Sequence, residues 1–125
     1  MGKSIQGAGG ALVLGVVFRA VIARTQMNTN NDTMPEIWLK NCFVELQNVF
    51  VSFEGSMLIS VVMGLVEEKT GMMYYINAEH PFSVLLRDGQ ASFLENEMVT
   101  RKIGVIGLDG HLRVQIVHLH KEDVI

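Results

Sequence analysis

Apolar positions fall into two helical patterns at the start of the chain and into short strand-like runs after them. Residues 11–24 read ALVLGVVFRAVIAR, with Arg19 and Arg24 as the only charges, behind the small residues Gly7, Ala8, Gly9 and Gly10. A stretch apolar nearly all round predicts a helix buried on more than one side. The polar segment 28–32 reads as a loop, and Thr33-Met34-Pro35-Glu36 has capping-box spacing with Pro35 in the first turn. Leu39, Cys42, Phe43, Leu46, Val49, Phe50 and Phe53 then recur every three or four residues. That spacing predicts a second helix with one apolar stripe, ended by Glu54-Gly55-Ser56.

From Met57 the period changes. MLISVVMGLV is rich in β-branched residues and of strand length, and Glu67-Glu68-Lys69-Thr70-Gly71 turns it into MMYYINA. A second hairpin is expected where 82–86 and 91–94 flank Asp88-Gly89, and Asp109-Gly110 precedes a further strand over 112–119. The expectation is one domain over 1–125, with helices at about 7–27 and 34–53 and strands within about 57–120. Strands that follow helices without alternating with them give an α+β fold with a mostly antiparallel sheet.

Composition narrows the function. Charged residues make up 18% of the 125-residue chain, against roughly 25% for an ordinary soluble domain. The net charge is −3, and the ten Lys and Arg are scattered, so no basic stripe exists for a phosphate backbone and nucleic acid is not an expected partner. The apolar excess exceeds what so short a chain hides alone and predicts self-association into a homo-oligomer. The lone Cys42 has no disulfide partner within the chain, which gives a cytoplasmic expectation. The apolar run before Arg19 is eight residues, too short for a bilayer, so no membrane segment is expected.

Few residues suggest chemistry by spacing alone. His118 and His120 would share one strand face with Glu122 and Asp123 nearby, yet His-x-His supplies two ligands where zinc needs three or four. They are read as ordinary surface or edge-strand histidines, and His111, beside a turn, as a loop residue. Glu67-Glu68 and Glu95-x-Glu97 lie in expected turns and read as solvated. The glycines at 7, 9 and 10 have no strand before them and a misplaced third glycine, which excludes a dinucleotide fingerprint. Met57, Met63, Met72, Met73 and Met98 read as core filler. Ser52, Ser56, Ser60 and Cys42 carry no nucleophile signature.

Several segments nevertheless match one family in the right order. Asn77-Ala78-Glu79-His80-Pro81 is similar to the Asn-Ala-Gly-His-Pro motif of metal-dependent serine/threonine protein phosphatases, in the bacterial branch typified by stage II sporulation protein E. Gly2-Lys3-Ser4 resembles the tail of that branch's Asp-x-Ser-Gly-(His/Lys)-Gly turn, which opens a long helix. Arg87-Asp88-Gly89, Ile103-Gly104 and 117–125 fall where the family has its arginine hairpin, its Leu-Gly pair and its Leu-x-x-Gly-Asp-Val-Leu strand. Ser4, Glu79 and Glu122 stand where the family has glycine, which bears on backbone geometry at those points.

The resemblance implies a portion of an α-β-β-α phosphatase sandwich that dephosphorylates a regulatory phosphoprotein using two Mn²⁺ or Mg²⁺ ions. Gly2, Lys3, Asn77, Ala78, His80 and Pro81 are the implied residues near the cleft, with His80 in a structural role. The family's metal-ligand aspartates fall just outside the sequence. The expectation is therefore no catalytic residue in this chain, no bound metal, and an inactive fragment. The alternative is a non-catalytic, phosphatase-like interaction module.

Overall fold

In the computed structural model, residues 2–27, 34–107 and 112–125 are described, the helix ends 2–6 and 26–27 by backbone alone. The expected loop 28–32, the turn at Asp109-Gly110, Thr33 and His111 lie outside them. Helices α1 (Gly2–Met27) and α2 (Pro35–Val51) precede strands β1 (Val61–Glu67), β2 (Met72–Ala78), β3 (Val84–Arg87), β4 (Gln90–Phe93) and β5 (Gln115–His118). This is the α+β arrangement of two helices followed by a mostly antiparallel sheet.

Helix α2 carries the stripe its sequence specifies: Leu39, Cys42, Phe43, Leu46 and Phe50 are buried. Pro35 occupies the first turn, but the N-cap is Met34 and no side chain caps the helix. The capping-box spacing is therefore one residue out of register with the observed start, because Pro35, which has no N–H to cap, takes the first helical position. Beyond the helix, Glu54 and Gly55 both have positive φ, 52° and 81°, and reverse the chain toward the sheet.

Helix α1 corrects two expectations. It is covered along one face only, with Gly10, Val13, Leu14, Val17, Phe18 and Val21 turned toward the core, and Leu12 and Val16 are 72% and 65% exposed on the other. All-round apolarity does not create neighbours, and among the described elements only α2 packs extensively on α1. Arg19 also fails to interrupt it. The stretch Gly7–Thr25 is a continuous helix, long and apolar enough by length and composition to cross a membrane. The eight-residue run before Arg19 is only part of this stretch, which continues through both Arg19 and Arg24 and packs its inner face on protein. At the seam with α2, Cys42 is 1% exposed, and burial, then the charge of Glu45, pushes its thiol up to about 11. Arg24 closes the same seam on Glu45 with a two-pronged ion pair.

Strands β1 and β2 form the first expected hairpin, in register from Val61↔Ala78 to Glu67↔Met72, and β5 pairs the other edge of β2. β5 is four residues long, shorter than the run 112–119. Because β2 is central, most of its residues are buried whichever face they point to. Ile76 and Ala78 join the helices in one core cluster, while Tyr75 and Asn77 are buried on the opposite side. The β3–β4 hairpin forms a separate two-stranded sheet. Its turn is Asp88-Gly89, with φ of 51° and 75°, the mirror-image turn whose twist matches the flanking strands. Met63 and Met73 are core filler as expected; Met98 is exposed and does not serve as such.

Candidate functional site around loop 77–81

At the end of β2 the motif residues Asn77, Ala78, His80 and Pro81 come together in one tight reversal. The Oδ1 of Asn77 accepts the His80 backbone N–H at 2.8 Å, the side-chain-to-backbone turn that asparagine favours. Glu79 takes φ of 54°, the left-handed conformation a glycine adopts freely. The motif's glycine requirement is thus met by a strained glutamate, whose carboxylate pairs with Arg101 at 3.4 Å and accepts the Lys102 N–H. His80 is exposed, its Nδ1 3.0 Å from the Pro81 carbonyl. Gly2 and Lys3 lie in the first turn of α1; their side-chain surroundings lie outside the described residues.

Sequence reasoning missed Glu95. Against the expectation of a solvated turn residue, Glu95 is 4% exposed and accepts from Asn77 Nδ2 at 3.0 Å and from the Ser83 N–H at 2.8 Å. Its surroundings come from a strand end 18 residues upstream, so no local signal marks it. Glu97, by contrast, is exposed and pairs with Arg113 at 2.7 Å, and Glu67 and Glu68 are exposed.

The histidine pair is close, with ring centroids 5.4 Å apart. His118 Nε2 already faces the Thr70 carbonyl at 3.0 Å. Asp123 is engaged as well: Arg87 donates to it through Nε at 3.0 Å and Nη2 at 2.6 Å, and the His120 N–H donates at 2.7 Å. These bonds, the guanidinium's first, hold the Asp123 carboxyl down to about 2 from 3.8. Arg87 also donates to the His118 carbonyl, so one guanidinium ties β3, β5 and the C-terminal segment. A group with a depressed folded-state pKa adds stability above its unfolded value and loses it as pH falls through the folded one. Stability from Asp123 is therefore complete above about pH 4 and lost toward about pH 2. Denaturation midpoints across that range should fall less steeply in Asp123→Asn than in the parent; an equal slope overturns the assignment.

Glu122, at φ of 72°, is the second glycine position filled by glutamate. It is exposed, so Glu122→Gly should stabilise the chain by about 0.5–1 kcal/mol by removing left-handed strain. A lowered midpoint in urea would contradict that.

Among the described residues, no three His, Cys, Asp or Glu gather as metal ligands. The carboxylates of Asp123, Glu79, Glu95 and Glu97 are each turned to a protein partner, so the donors described do not fit a two-metal centre and no metal-dependent step is derived from them. Two open depressions, of about 190 and 210 Å³, include no residue of loop 77–81.

The family profile for Stage II sporulation protein E (SpoIIE) matches residues 1–125, the whole sequence. The chain belongs to this family, a family of PPM-type phosphatases, which are hydrolases that generally use Mn or Mg. No curated protein and no solved structure matches the chain.

Proposed function

We propose that the chain is the core of a metal-dependent serine/threonine phosphatase domain acting on a phosphorylated regulatory protein in the cytoplasm. The observation that carries the reading is loop 77–81. Asn77 closes it on His80, and Glu79, where the resembling motif has glycine, takes a left-handed backbone of the kind glycine favours, in a chain matched end to end by the family. On this reading His80 and Pro81 shape the rim of the cleft, and the aspartates that hold the metals come from family segments flanking those described here. The 125 residues alone are then inactive, because metal-activated water supplies both nucleophile and charge stabilisation.

The test is Mn²⁺ titration by calorimetry beside hydrolysis of p-nitrophenyl phosphate, on this chain and on one extended at both ends along its gene. Binding and turnover by the longer chain alone support the reading. Metal-dependent turnover by the 125 residues overturns the inactivity, and failure of both chains removes the phosphatase assignment.

A second reading, a phosphatase-like interaction module that self-associates, draws on the second sheet. Val84 and Phe93 are paired, as are Leu86 and Val124, and all four side chains are exposed. A second copy of the chain would cover them. Sedimentation showing a monomer at every concentration tried would remove this reading.

A further inference from the structure

Glu95 is a buried carboxylate that the proposed chemistry does not use. At 4% exposure it has lost its water, a cost of several kcal/mol unless its oxygens are satisfied. Among the described residues it has no cation partner. Both of its oxygens are spent instead on the two ends of the motif loop: Oε1 on Asn77 where the loop leaves β2, and Oε2 on Ser83 where it enters β3. The Leu94 N–H donates to the Ser83 carbonyl at 2.9 Å, so residues 94 and 95 together hold both backbone groups of Ser83.

The bonding of Asn77 explains why a carboxylate stands there. Its Nδ2 donates to Glu95 and to the Pro81 carbonyl, and its Oδ1 accepts from His80. An ionised carboxylate only accepts, so it dictates which end of the amide faces it. The amide is planar; fixing Nδ2 therefore aims Oδ1 at the His80 N–H. A neutral or apolar residue of similar size fills the same volume without setting that orientation. The negative charge is also felt nearby: Tyr75 is pushed up to about 12, first by burial and then by Glu95.

We propose that Glu95 is a positioning residue for loop 77–81, its buried carboxylate orienting Asn77 and holding Ser83 so that His80 is presented in one fixed geometry. The purpose of that geometry rests on the phosphatase reading, whereas the hydrogen bonds do not. The experiment therefore uses no metal and no substrate. In Glu95→Gln one acceptor becomes a donor, which must face either Asn77 Nδ2 or the Ser83 N–H. Amide hydrogen exchange on the 125-residue chain should then quicken at His80 and Ser83 by about tenfold relative to the core amides of β2. Equal acceleration at all these amides would make Glu95 a general stabiliser and overturn the proposal, as would no acceleration.

A measurement on the unmutated chain covers the case in which the variant does not fold. The backbone amides of His80 and Ser83, which donate to side chains rather than to a neighbouring strand, should be protected from hydrogen exchange by Asn77 and Glu95. Exchange at both positions as fast as in an unfolded peptide would overturn the proposal, whatever the phosphatase assay returns.

Discussion

Replacing Gly104 by alanine should cost about 4 kcal/mol, close to the whole stability of a small domain. Gly104 has φ of 97°, beyond the left-handed region that asparagine or aspartate tolerates, so a side chain there starts with about 1–3 kcal/mol of backbone strain. A Cβ would also overlap the Met57 carbonyl oxygen and press on Leu58 Cδ2 at 3.3 Å and Phe50 Cβ at 3.4 Å. The backbone has little room to retreat. Ile103 exchanges both hydrogen bonds with Ile59, at 2.9 and 3.0 Å, immediately before it. Gln47 of α2 accepts the Gly104 N–H and donates to the Val105 carbonyl, each at 2.8 Å. Relieving the overlap means breaking one of these bonds, which adds about 1–3 kcal/mol of the kind seen on overpacking. Urea unfolding followed by circular dichroism measures the loss. A loss below about 1 kcal/mol would mean that the segment is not pinned as described.

Phe50→Ala should remove a comparable amount, about 3–5 kcal/mol, by leaving a cavity where α2 meets the sheet. Phe50 is 0% exposed and belongs to the cluster containing Leu46, Ile76 and Ile103. It also loses its edge-to-face partner Phe53, at a centroid distance of 6.0 Å. Val44→Ala is the matched control, on the same helix but 47% exposed, with an expected change within about 0.5 kcal/mol. If the two variants unfold at similar denaturant concentrations, the buried face of α2 has been misassigned.

The features legible in the sequence were those that depend on neighbours close along the chain. The α2 stripe from Leu39 to Phe50 announces itself by spacing, and Asp88-Gly89 by a turn only such residues make cheaply. The motif loop was legible by resemblance, and with it three positions where glycine is replaced: Glu79 and Glu122 take left-handed backbones, whereas Ser4 lies in the regular helix α1. What stayed hidden depends on residues distant along the chain. The burial of Glu95 is decided by Asn77, 18 positions away, and nothing in Glu95-x-Glu97 separates the buried carboxylate from the exposed one. The one-sided cover of α1 is of the same kind: apolarity states what a helix tolerates, and the count of its neighbours is fixed elsewhere in the fold.

Cys42 gives the α1–α2 seam a chemical clock. It is the sole thiol in the chain, and lies 1% exposed at the floor of the depression of about 190 Å³ between the two helices, with its proton held to about 11. A thiol in that state reacts through its thiolate only when the seam parts. The rate at which a small disulfide reagent modifies the native protein therefore reports the fraction of molecules in which α1 has lifted from α2, at a single atom and without an engineered label.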